Sequence, residues 1–172
     1  QTTQQAAIRS DPRWAGGDFD PADPPLAGLG TARRIAHRTY RSAAELGGRF
    51  GARVQEDGRF AVASYLDHHA DKLVHRFDAN SYLVLTEAMN SHDVGRGRGG
   101  TAAALGRVTA RTAVVAIDSD RLYPPALSAE IAAGVPDCAP LEVLHSPYGH
   151  DGFLVESAEV GRTVSELLGE PA

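Results

Sequence analysis

Two short β-branched runs, Ala113-Val114-Val115-Ala116-Ile117 and Leu141-Glu142-Val143-Leu144, lie about one helix apart near the end of this 172-residue chain. The intervening stretch 125–133 has the length and composition of a crossover helix, so the pattern predicts two parallel strands, with a further helix over 156–168. Two parallel strands cannot stand as a sheet by themselves, because both faces and both edges need covering. The arrangement therefore predicts an α/β protein whose remaining strands come from upstream of these residues. Each run leads into a loop rich in chemistry. The first is Asp118-Ser119-Asp120-Arg121-Leu122-Tyr123-Pro124, and the second is Tyr148-Gly149-His150-Asp151-Gly152-Phe153.

Strand ends beside a sheet crevice are where open α/β sheets place catalytic groups. Asp118 and Asp120 both qualify as an acid, although taken singly either is more simply an acidic turn. His150 lies thirty residues beyond Asp120, after one helix and one strand. The two loops should then emerge side by side, and a carboxylate accepting from one imidazole nitrogen would set the tautomer and stabilise an imidazolium. Gly149 and Gly152 allow a sharp loop that projects the ring. Acid followed by base is the second half of a Ser…Asp…His triad in the chain order used by α/β-hydrolase folds. No serine of the chain has the Gly-x-Ser-x-Gly context of a nucleophile elbow.

Upstream, the pattern divides the chain into three parts: a helix and Pro/Gly/Asp-rich connector over 1–26, a helical block with a glycine-rich loop over 27–112, and the strand-helix-strand-helix part over 113–172. Helix breaks are expected at Gly47-Gly48 and around Asp57-Gly58. Continued from Leu29 to Leu46 at roughly 100° per residue, a helical wheel puts Leu29, Ala32, Ala36 and Ala43 on one apolar face. Arg34, Arg38 and Arg41 fall on the solvated side. Arg33 and Tyr40 sit at the edge of the apolar face, where a guanidinium must snorkel to water or meet an anion. A salt bridge is the plainer role for Arg33; a ligand carboxylate, which matches the planar guanidinium fork, is the alternative.

The remaining features are mostly exclusions. A formal charge of −5 argues against general nucleic-acid binding, and the single Gly95-Arg96-Gly97-Arg98-Gly99-Gly100 tract reads as a structured loop. No apolar run reaches the roughly 20 residues that span a bilayer. The start, Gln1-Thr2-Thr3-Gln4-Gln5, has neither an initiator methionine nor a signal-peptide pattern, so a piece of a longer protein is expected. The lone Cys138 fits a reducing cytoplasm and sits in a turn, where a nucleophilic role is not expected. His68 and His69 are adjacent on a helix and point apart, so they predict solvated surface and not a metal site. His37 and His145 read as structural, and His92 as a weak candidate for a pocket entrance.

Several long motifs in one order resemble actinobacterial homoserine O-acetyltransferases. They are Arg33-Arg34-Ile35-Ala36-His37-Arg38-Thr39-Tyr40-Arg41-Ser42, Arg76-Phe77-Asp78-Ala79-Asn80-Ser81-Tyr82, the stretch 90–100, Ser119-Asp120-Arg121-Leu122-Tyr123-Pro124 and 148–154. The resemblance covers essentially the whole chain. It implies an α/β-hydrolase fold, here as the helical lid plus the carboxyl-terminal part of the sheet. It also implies transfer of acetyl from acetyl-CoA to L-homoserine through an acyl-serine, in methionine biosynthesis. By the same resemblance Asp120 is the triad acid and His150 the base; Arg33 binds the homoserine carboxylate, Asp151 its amino group, and Tyr40 lines that pocket. No bound cofactor or metal is implied, acetyl-CoA being a co-substrate, and a cytoplasmic homodimer formed through lid helices is expected. The departure is the missing serine and oxyanion hole. A piece without them is expected to be inactive alone, since losing an oxyanion donor by itself costs ~10²–10³ in rate. Two alternatives remain: a homoserine O-succinyltransferase or related esterase of the same fold, and a non-catalytic truncated product serving as a helical dimerisation module.

Overall fold

Burial of short apolar stripes by otherwise polar helices organises the first part of the chain. The structure, a computed structural model, describes residues 1–169, so the last three residues of the part expected over 113–172 lie outside it. Two units are present, one formed by 1–39 with 46–92, the other by 40–45 with the residues from Asp93 onward.

In the first unit, helix α1 (Thr2–Arg9) buries Gln5 and Ile8, three residues apart on one face. Helix α2 (Leu26–Tyr40) buries Leu29, Ala32 and Ala36, the apolar face expected from the wheel. Helix α3 (Ala43–Phe50), whose first three residues belong to the second unit, follows, then α4 (Ala61–Val74) and α5 (Ala79–Ser91). Ile8, Leu29, Ala32, Leu73, Ala79 and Leu83 form the core of this unit, with Trp14, Phe19 and Phe77 packed against it. Polar side chains tie its loops. Asp11 accepts from the amides of Arg13 and Gly28, and Asn80 bridges the Trp14 indole and the Gly17 carbonyl. Asp78 caps α5 by accepting from the Ser81 amide.

In the second unit a short helix α6 (Thr101–Leu105) precedes strand β1 (Val115–Ile117), helix α7 (Pro125–Gly134) and strand β2 (Glu142–Leu144). The strands are parallel, with Val115 opposite Glu142 and Ile117 opposite Leu144, as the crossover pattern predicts. Helices α8 (Gly152–Val155) and α9 (Ser157–Leu168) follow. Two close approaches set this packing. A Cβ on Gly134 would lie 2.5 Å from the Leu105 side chain, and one on Gly152 would lie 2.8 Å from Ile117.

Three expectations are corrected. The Gly47-Gly48 pair does not break a helix; both glycines lie inside α3. The break falls at Arg41-Ser42, so the wheel cannot be continued past Tyr40, and Ala43 is exposed. A signal for that boundary was present: Ser42-Ala43-Ala44-Glu45 is a capping-box pattern, and the Ser42 hydroxyl accepts from the Glu45 amide at 3.0 Å. The break at Asp57-Gly58 is present as a turn closed by a bridge between Val54 and Phe60. His69 is the third correction. It is half-buried, with its ring stacked 3.8 Å from that of His37, whose Nε2 pairs with the Tyr65 hydroxyl at 2.8 Å. His68, its neighbour, is exposed.

Candidate active site

β1 and β2 run parallel, so their carboxyl ends lie at the same edge and the two loops that leave them are neighbours. Hydrogen bonds lace these loops together. The Asp118 amide donates to the Leu144 carbonyl. The Asp118 carboxylate accepts from the Ser146 amide at 3.1 Å and pairs with His145 Nδ1. Ser119 donates its hydroxyl to the Ser146 carbonyl and accepts from the Gly149 amide at 3.0 Å. The Ser146 amide, followed by the His145 ring, holds the Asp118 carboxyl below its ordinary value. His145 itself is 94% exposed, so this second Asp–His pair pins the loop at the surface.

Asp120 is buried, and both its oxygens are engaged. Oδ1 accepts from the amides of Leu122 at 2.7 Å and Tyr123 at 3.0 Å. Oδ2 lies 2.8 Å from His150 Nδ1. Two backbone donors thus fix the carboxylate's rotation before the imidazole arrives. An Nδ1–H donated to Oδ2 leaves Nε2 as the proton acceptor. Among the two candidate acids, the geometry joins Asp120 and not Asp118 to His150.

His150 sits in a 3-10 turn, Gly149–Asp151. Gly149 has φ +66°, and a Cβ there would lie 2.7 Å from the Ser42 amide nitrogen, so glycine is required both by conformation and by space. The imidazole is ringed by aromatics, with centroids 5.3 Å from Tyr123 and 5.7 Å from each of Tyr40 and Phe153. One side of this group opens on an apolar cavity of about 410 Å³, whose lining includes Ile117, Asp120, Tyr123, Leu127, His150 and Phe153. The arrangement can take a proton at one nitrogen of this aromatic-ringed imidazole, beside an open apolar space.

Of the other residues singled out in the sequence, Tyr40 is beside His150. Asp151 is beside it in the chain and forms an ion pair with Arg41, Nε to Oδ2, at 3.0 Å. Arg33 lies half-buried on α2 in the first unit. Arg41 was missed by the wheel, which placed it on a solvated helix face; it follows the last residue of α2 and turns instead to the His150 loop. Arg34, assigned to the same solvated face, is only partly exposed and pairs with Asp67 at 2.6 Å. Among the described residues no group of histidine, cysteine and carboxylate side chains could hold a metal ion. None of the described helices is long and apolar enough to cross a membrane.

No family model matches the chain. Curated relatives do. The chain is 56% identical over 175 residues to a homoserine O-acetyltransferase of Thermobifida fusca, and 53% identical to one of Nocardia farcinica. These matches cover 97% and 98% of the chain but 46% of each relative, so the chain spans about half the length of the curated proteins it matches. Among solved structures it superposes on the homoserine O-acetyltransferase of Bacillus anthracis with a TM-score of 0.85 at 20% identity, covering 97% of this chain and 47% of that one. Esterase E22 matches equally, with a TM-score of 0.85 and 20% identity over 97% of this chain and 49% of that one. An acetylester hydrolase of Corynebacterium glutamicum gives 0.78 at 26%, covering 98% and 49%. Fold and strand-end pair together define part of an α/β-hydrolase. Over the half of those sequences that it spans, the chain is similar to homoserine O-acetyltransferases at 53–56% identity.

Proposed function

We propose that the whole protein of which this chain is part transfers acetyl from acetyl-CoA to the hydroxyl of L-homoserine, in methionine biosynthesis. The observation that carries this is the Asp120–His150 pair at 2.8 Å between two strand ends, in a chain 53–56% identical to homoserine O-acetyltransferases. The nucleophilic serine is supplied by the part of the relatives' length that this chain does not span. His150 Nε2 takes the serine proton as the serine oxygen attacks the thioester carbon. The C–S bond breaks, the CoA sulfur takes the proton, and an acetyl-serine remains. In the second half, His150 takes the homoserine hydroxyl proton as that oxygen attacks the ester; the serine oxygen leaves and is reprotonated. Asp120 keeps the imidazole in the productive tautomer throughout.

Arg33 binds the substrate carboxylate by its two-pronged fork, and Asp151 the ammonium. The ring of Tyr40, packed near His150, lines the substrate site. Support for these roles is the family resemblance of the motifs, Arg33 at the edge of an apolar helix face, and the adjacency of Asp151 to the base. The protein acts in the cytoplasm, in keeping with the unpaired Cys138, and as a homodimer through the lid helices.

Full-length enzyme carrying His150→Ala is expected to lose on the order of 10³-fold or more in kcat for acetyl-homoserine formation. Arg33→Ala should lower kcat/KM for homoserine by at least 10²-fold, in line with losing a charge-assisted bidentate contact. Retention of activity within severalfold by both variants overturns the proposal. A hydrolytic reading is favoured by one observation, the 26% identity to an acetylester hydrolase. Acetate release without homoserine acetylation by the intact protein would select it.

A further inference from the structure

Three consecutive residues, Tyr40, Arg41 and Ser42, each grip a different part of the loop that carries the base. The Tyr40 ring lies 5.7 Å from the His150 ring. The Ser42 hydroxyl donates to the Pro147 carbonyl. Between them, the Arg41 guanidinium lies 5.9 Å over the Tyr148 ring and its Nε approaches Asp151 Oδ2 to 3.0 Å. Both partners of this pair are largely buried, with side chains 17% and 18% exposed. The contact is ionic and not a linear hydrogen bond, since Nε makes no aligned bond within the structure. The close fit of Gly149 against the backbone of 40–42 leaves this segment no freedom to swing away without carrying the loop with it.

We propose that Arg41 is a positioning residue for the amino-acid acceptor: it holds Asp151 Oδ2 from one side and keeps Oδ1 turned outward to receive the substrate ammonium. The inference rests on the acetyl-transfer reading above, and on Asp151 as the ammonium's partner. A lone aspartate on a tight turn would rotate about χ1 and χ2, and the ammonium would have to pay the entropy of fixing it. An aspartate already clamped by a guanidinium presents one oxygen in a set direction. Selection for the class of acceptor then lies with the oriented Asp151 carboxylate. An α-amino acid gains a charge-assisted hydrogen bond to Oδ1 through its ammonium, which an acceptor without that group does not.

The test separates the two half-reactions in the full-length enzyme. Arg41→Gln should raise the KM for homoserine at least tenfold, while the burst of CoA released on forming the acyl-enzyme changes by less than about twofold. Arg41→Lys, which restores the charge without the fork, should recover part of that KM. Added to Asp151→Asn, Arg41→Gln should raise the KM by less than a further twofold, because Arg41 acts only through that carboxylate. A homoserine KM within twofold of the unaltered enzyme overturns the inference. So does a fall in burst rate equal to the loss in the second half-reaction, in both variants, since that marks a general loss of structure. An unaltered enzyme that forms the acyl-enzyme but does not acetylate homoserine would instead sink the acetyl-transfer reading.

Discussion

At the scale of single residues, Asp120 shows how a short sequence specifies a rotation. The turn after β1 brings two amides onto Oδ1, which leaves Oδ2 with one direction to face, and His150 lies in that direction. Asp120→Asn keeps the amide contacts through its carbonyl oxygen but presents an NH₂ to Nδ1. The imidazole must then accept there, and its proton moves to Nε2. In full-length enzyme this variant should lose ~10³–10⁴ in kcat with little change in melting temperature. Asp118, two residues earlier, behaves differently. Its carboxyl holds a proton less readily folded than unfolded, so the stability it contributes is complete above its ordinary value of 3.8 and is lost as pH falls through the lower folded value. Urea unfolding of the wild-type protein should weaken more steeply below about pH 4 than that of Asp118→Asn, and the two should converge in acid. Above pH 5 the difference will be small, because the Asp118 side chain is 36% exposed.

Helix ends and tight turns set the site at the scale of elements. Had α2 continued through Ser42, Arg41 would have pointed to solvent; because the helix stops at Tyr40, Arg41 and Ser42 turn to the His150 loop. The 3-10 turn carrying His150 needs φ +66° at Gly149, in direct contact with that segment. Gly149→Ala should therefore cost roughly 2 kcal/mol or more from the left-handed backbone and the crowding at Ser42. Calorimetry would show it as a lowered melting temperature, together with lost activity in the intact enzyme. The same substitution at Gly47 or Gly48, inside α3 with open space around them, should instead be neutral or stabilising by up to about 1 kcal/mol.

At the scale of the whole molecule, each unit has its own means of stability. The first unit has a core of small and medium apolar side chains. Leu29→Ala there should remove about 2–5 kcal/mol, visible as faster amide exchange across α1 and α5. The second unit is held by loop lacing and by glycine contacts around two three-residue strands. Much of this was legible beforehand. The strand pair, the crossover helix, the buried stripe of α2 and the meeting of residues 120 and 150 all follow from periodicity and from the rule that parallel strands end together, properties carried by near neighbours in the chain. Other features were decided only by tertiary structure: which of Asp118 and Asp120 faces His150, the partnering of Asp151 by Arg41, and the stacking of His69 on His37. In each case the deciding interaction joins residues roughly 30 to 110 positions apart. The local pattern leaves several orientations nearly equal in energy, and it is the amide or cation arriving from a distant segment that chooses among them.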